Sequence, residues 1–290
     1  MSVGNSLDTI VKKLQTFFDT PFSELYQDTI DALPTKLNDY GYDKFGFKPD
    51  ASRYALLVTA WLHKYYFRVE THGVDNIPEG RVLLIANHSG QIPIDAVMIA
   101  TSVILEGNPP RALRSMVERF VPALPFVSVF LTRMGQILGT PENARILLEQ
   151  DEALLVFPEG VRGINKLYWD RYQLTDFGLG FLRLALETNT PIVPVAVIGA
   201  EEQLPSIANF KKVGKLFGLP ALPILPQLIV PLLGWLPMPT KYRIHFGEPI
   251  VFKGDANDED DVIEKKVAHV RKQIQSMLTY GLKQRKAIFW

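Results

Sequence analysis

The chain contains no cysteine. That excludes a thiol nucleophile, a disulfide framework and cysteine-ligated zinc, and it suits a reducing compartment. It also lacks an excess of charge: 31 Lys and Arg stand against 31 Asp and Glu, so there is no global basic field for nucleic acid and no acidic tail. No secretory signal is legible at the start, because Asp8, Lys12 and Lys13 interrupt the run that an apolar signal core would need, and Gly4 is out of place for myristoylation. Residues 216–240 carry no charge, but six prolines there would remove helix hydrogen bonds throughout, so the stretch is not an ordinary membrane span. No G-x-S-x-G elbow is present, and His63, His72, His245 and His269 show no metal-ligand spacing. No internal repeat appears.

What is present is an alternation of short apolar runs and helix-period segments over 290 residues, a length that one α/β domain fills easily. Residues 82–85, 112–117, 135–139, 153–157, 192–198 and 242–246 read as strands. Residues 96–105, 141–150 and 175–187 read as helices between them, with Thr140 and Pro141 as N-cap and first helical residue. The expected fold is α/β: one domain with a mixed, largely parallel sheet flanked by helices. N-terminal amphipathic helices are expected over 7–18, closed by Pro21, and over 53–66. In the second, Tyr54, Leu57, Val58, Trp61, Leu62 and Tyr65 share a face that either joins the core or lies in a membrane interface. A long C-terminal helix over 258–284 carries Ile263, Val267, Val270, Ile274, Met277 and Gly281 on one side. The division is a helical, membrane-proximal segment 1–65, an α/β core 66–255 with 216–240 as an apolar cap, and a C-terminal helix 256–290.

Two strand-to-turn junctions carry chemistry. The first reads Ala-Asn-His-Ser-Gly-Gln-Ile-Pro-Ile-Asp over 86–95. A histidine past a strand end, with a carboxylate just inside the next helix, makes a base and its orienter: the carboxylate holds one ring nitrogen and stabilises the imidazolium. His88 and Asp95 are therefore the candidate catalytic pair. The second junction, 157–163, reads Phe-Pro-Glu-Gly-Val-Arg-Gly, and the strand Ile-Val-Pro-Val-Ala-Val follows at 192–197.

Together these blocks resemble the PlsC-like glycerolipid and lysophospholipid acyltransferase superfamily, in the right order from about residue 66 to 250, about two thirds of the chain. The resemblance implies a membrane-associated O-acyltransferase. It would move a fatty acyl group from acyl-CoA or acyl carrier protein to a lipid hydroxyl, by default that of a lysophospholipid such as lysophosphatidate. It implies no further cofactor, membrane lipids as partners, and a peripheral or monotopic place on the cytoplasmic face. It puts Glu159 and Gly160 at the acceptor site and Arg162 on a phosphate. Asn87, which belongs to the same substrate-binding set, is expected to support the His88 loop by hydrogen bonding. Two departures stand out. Six residues, rather than the family's four, separate His88 from Asp95, and Thr140 and Pro141 occupy the place of a phosphate-holding Arg, with Arg133 and Arg145 flanking the gap. The second departure brings in a neutral acceptor, diacylglycerol or a long-chain alcohol. The first raises a non-catalytic lipid-binding protein of the same fold. A thioester hydrolase is a third reading.

Overall fold

The strand that leads to His88 is buried at every position. Val82–Ala86 (β2) is apolar throughout because a central parallel strand is covered on both faces. The computed structural model describes residues 21–33, 35–88, 92–117, 126–210, 214, 222–230, 234 and 236–289. The helix expected over 7–18 lies outside them, as do residues 216–221, 231–233 and 235 of the stretch 216–240. Pro21, expected to close the first helix, opens another: Pro21–Asp31 (α1) starts on a residue whose missing N–H is not needed there. Pro49–Trp61 (α2) continues through a π turn, Leu62–Tyr66, into the edge strand Glu70–His72 (β1).

After β2 come Ile94–Glu106 (α3), Leu113–Val117 (β3), Val127–Arg133 (α4), Ile137–Leu138 (β4), Pro141–Glu149 (α5) and Ala153–Val156 (β5). The chain goes on through Val161–Ile164 (α6), Gly180–Thr188 (α7), Ile192–Ile198 (β6) and Ala200–Gln203 (α8). A small hairpin, Ala208–Phe210 (β7) with Leu222–Ile224 (β8), precedes Arg243–Phe246 (β9) and the C-terminal helix Asp260–Gln284 (α9).

Seven strands form one sheet in the order β1-β9-β6-β2-β5-β3-β4. The run from β6 to β4 is parallel; β9 pairs antiparallel with β6 and parallel with β1. The sheet is thus mixed and mostly parallel. Its alternating side chains build two core layers. Leu83, Ile85, Leu154, Ile192 and Ile198 meet α5, α7 and α9 on one face, and Leu84, Ala86, Leu155, Val195 and Ile244 meet α3 on the other. In α9 the buried line is Ile263, Val267, Val270, Ile274, Leu278 and Gly281. Leu278 takes the place expected of Met277, which is only partly buried.

The apolar face expected on α2 divides. Leu57 is buried, whereas Tyr54, Val58, Trp61 and Tyr65 are each 45–53% exposed and form a stripe on the outside. The segment 126–131 is likewise outside: Phe126 is 89% exposed, and Val127, Val129 and Phe130 are exposed with it.

Candidate active site

At the C-terminal end of β2 the chain must leave the sheet without losing its last ladder partner. Asn87 solves this with its side chain. Its Oδ1 accepts the Val197 N–H at 2.8 Å and its Nδ2 donates to the Val197 carbonyl at 3.1 Å, so the amide imitates one more strand residue. Asn87 is fully buried and engaged with β6. These bonds tie the start of the His88 loop to β6, and both polar atoms of the amide have backbone partners.

His88 follows. Its Nδ1 lies 2.8 Å from Asp95 Oδ2, so the widened interval does not separate the pair, and a lipid-binding fold with the two side chains far apart is not what is seen. Asp95 is fully buried in the first turn of α3, where the helix dipole favours a carboxylate, and its Oδ1 accepts the Ala96 N–H at 2.8 Å. An ionised carboxylate only accepts, so Nδ1 is the donor and Nε2 keeps the lone pair. The His88 ring stacks on Phe157 with centroids 4.0 Å apart and planes 23° from parallel, which fixes its plane as Asp95 fixes its direction. The arrangement can take a proton at Nε2 and stabilise the resulting imidazolium.

The second junction braces the first. Glu159, expected at the acceptor site, is buried. Its Oε1 accepts the His88 N–H at 3.2 Å, and its Oε2 accepts the N–H and hydroxyl of Thr175 at 2.8 and 2.9 Å. Lys166 Nζ is 3.0 Å from Oε2. These contacts explain a second difference. The helix expected from Thr175 begins at Gly180, because residues before it are tied to the turn through Thr175 and through the Gly178 N–H on the Pro158 carbonyl. They also bear on the oxyanion: the His88 N–H, one of the backbone donors that could face it, is already given to Glu159.

Gly160 has φ 55°, a left-handed turn position suited to glycine, and starts α6. Arg162 is exposed and its Nη2 donates to the Asp176 carbonyl at 2.9 Å, leaving further guanidinium donors on the surface beside the site. Gly163 was not singled out by sequence, yet it is required: a Cβ there would stand 2.9 Å from His88 Cβ and 3.0 Å from its carbonyl oxygen.

The aromatic and basic cluster after α6 splits in two. Tyr172 is buried, its hydroxyl donating to Glu202 Oε2 at 2.8 Å, while Trp169 is exposed and Arg171 stacks over Tyr168 at 4.3 Å. Burial pushes Glu201 up to about 7, against the pull of Lys166. Neighbouring Glu202 is held by Arg285 through two bonds of 2.6 and 2.7 Å.

The place of the family's phosphate-holding Arg has become a helix start. Thr140 Oγ1 accepts the Asn143 N–H at 3.2 Å, and Pro141 is the first residue of α5. Arg145 is spent on Glu142 at 2.6 Å and Glu187 at 2.9 Å, and Arg133 is exposed on α4.

Comparison with known proteins agrees with this geometry. The family model described as Acyltransferase matches residues 68–198, a span that takes in both junctions and β6. An uncharacterised protein of Mycobacterium tuberculosis is 40% identical over 261 residues, covering 87% of this chain and 72% of the relative. A Gallus gallus protein named "DGAT1/2-independent enzyme synthesizing storage lipids" is 27% identical over 228 residues, covering 77% of this chain and 64% of the relative. The crystal structure of the 1-acyl-sn-glycerophosphate acyltransferase PlsC from Thermotoga maritima superposes with a TM-score of 0.52 at 17% identity, over 82% of this chain and 80% of that one, a likeness of fold. The chain belongs to the acyltransferase family, and its fold is like that of PlsC.

Proposed function

We propose that the protein transfers a fatty acyl group from a thioester, acyl-CoA or acyl carrier protein, to the hydroxyl of a lipid held at a membrane surface. The observation that carries this reading is the 2.8 Å contact between His88 Nδ1 and buried Asp95. Nε2 takes the hydroxyl proton as the oxygen attacks the thioester carbonyl. The tetrahedral intermediate then collapses, the carbon–sulfur bond breaks, and the proton held by His88 passes to the leaving thiolate. General-base assistance of this kind is worth about 10² to 10⁴ in rate. With no cysteine in the chain and no serine elbow, direct transfer without an acyl-enzyme is the simpler course.

A neutral acceptor, diacylglycerol or a long-chain alcohol, is the best supported. The position that would grip a phosphate is a capped helix start, and Arg145 is committed to two carboxylates. The storage-lipid name of the Gallus gallus relative points the same way. Arg162, with donors to spare, supports the second reading, a lysophospholipid whose phosphate it would hold. The exposed stripe Tyr54, Val58, Trp61 and Tyr65, with Phe126 and Phe130, supports peripheral seating in the headgroup region of the cytoplasmic leaflet. No helix among the described residues is long and apolar enough to cross a membrane.

The test is transfer of label from a mixed acyl-CoA pool, repeated with acyl carrier protein, into separate vesicles carrying diacylglycerol, a long-chain alcohol or lysophosphatidate. Label in the neutral acceptors is the expected result. Label in lysophosphatidate alone would select the second reading, and thioester cleavage without any acceptor would mark a hydrolase.

A further inference from the structure

Lys166 follows the second junction, outside the blocks that carry the family resemblance, and its ammonium is buried between two carboxylates. Nζ lies 3.0 Å from Glu159 Oε2 and 3.4 Å from Glu201 Oε1, with side-chain exposures of 6% for the lysine, 0% for Glu159 and 4% for Glu201. The two acids come from different strand ends. Glu159 sits just beyond β5 and holds the His88 N–H; Glu201 sits just beyond β6, and its other oxygen accepts the Tyr172 N–H at 2.8 Å. Asn87 links β2 to β6 at the same edge. A single cation therefore closes a ring through the ends of β2, β5 and β6, with the catalytic histidine on its rim.

Charge decides what the lysine does there. Two buried carboxylates cannot both stay ionised without a cation between them, and removing one partner of a buried pair leaves an uncompensated charge. Without Lys166, Glu159 either takes a proton or turns toward water, and both weaken the charge-assisted bond to the His88 N–H. The ring is then free to shift on Phe157. We propose that Lys166 is a positioning residue for His88: shared by Glu159 and Glu201, it keeps the Glu159 carboxylate on the His88 backbone and so keeps Nε2 in line with the acceptor hydroxyl. It does not touch the reacting atoms. The inference rests on the acyltransferase reading of the same site.

The experiment compares wild type, His88→Ala, Lys166→Met and the double variant Lys166→Met with Glu201→Gln. Each is assayed for acyl transfer under saturating donor and acceptor, and for amide hydrogen exchange of the peptide containing His88. The double variant removes the surplus carboxylate together with the cation, so it folds even where the single one does not. The expected result is a kcat about 10²-fold below wild type in both lysine variants, the loss that a misplacement of about 1 Å brings. KM for the thioester stays unchanged, and exchange at the His88 amide is faster. A folded double variant with wild-type kcat and wild-type exchange would overturn the proposal, because the lysine would then only balance Glu201. Absence of transfer by wild type would mean that the acyltransferase reading itself has failed, whereas an active wild type matched by His88→Ala would mean that His88 is not the base; the proposal falls in either case, through different arms of the assay.

Discussion

Two histidines dock on the same helix, α3, and differ in what meets them. His88 meets Asp95 in the first turn; His63, from the π turn after α2, meets Ser102 two turns further on, with Nε2 and Oγ 2.9 Å apart. Both are sheltered from solvent. The first has a fully buried carboxylate on Nδ1 and so can accumulate positive charge on its ring. The second has a hydroxyl on Nε2, and burial lowers its pKa to about 4. Glu106 lies 3.6 Å from His63 Nε2, and burial raises the pKa of that acid as well, which weakens its pull on the ring. A buried histidine becomes a base through its partner, not its burial. Ser102 makes His63 a core residue; Asp95 makes His88 a candidate catalyst.

The sharpest way to break this contrast is to remove the carboxylate. Asp95→Asn can donate to Nδ1, which puts the proton on Nε2 and leaves the ring unable to act as a base. The expected loss in kcat is on the order of 10² to 10⁴, with thermal unfolding close to wild type, measured by transfer assay and calorimetry. A smaller effect is expected from the other histidine. His63→Ala leaves a cavity and removes one of the hydrogen bonds of Ser102, lowering stability by about 2 to 4 kcal/mol in urea titrations while kcat is unchanged.

The smallest effect follows from protonation. The folded pKa of His63 is below its unfolded value of about 6.5, so its contribution is fully present above that pH and is lost as pH falls toward about 4. Between about pH 8 and pH 5 wild type should lose about 2 kcal/mol more stability than His63→Gln, which has nothing to titrate. Identical pH slopes for the two proteins would mean that His63 is charged in the fold.

Much of this was legible before any coordinates. The strand 192–198 has the same bounds in sequence and structure, and Thr140 caps its helix as its residue type suggests. His88 and Asp95 meet although their spacing is two residues wider than the family's, because the chain re-enters a helix at Ile94 and points the carboxylate back at the strand end. What stayed hidden depends on contacts across many residues. The sequence reading puts Glu159 at the acceptor site; its hydrogen bonds come from Thr175, sixteen residues on, and from the His88 N–H, seventy-one residues back. Nothing in the sequence marks Lys166 until Glu201 is brought beside it. The stripe on α2 was visible as apolar periodicity, but periodicity does not say which side faces the core. Leu57 goes in, and Tyr54 and Val58 stay out.

The measurement that bears most directly on the central claim runs His88→Ala and His63→Ala side by side in the acyl-transfer assay, at a temperature where both are folded. The account predicts that transfer falls by at least about 10² in the first and stays at the wild-type rate in the second. Equal losses in the two proteins, or full transfer by His88→Ala, would contradict it.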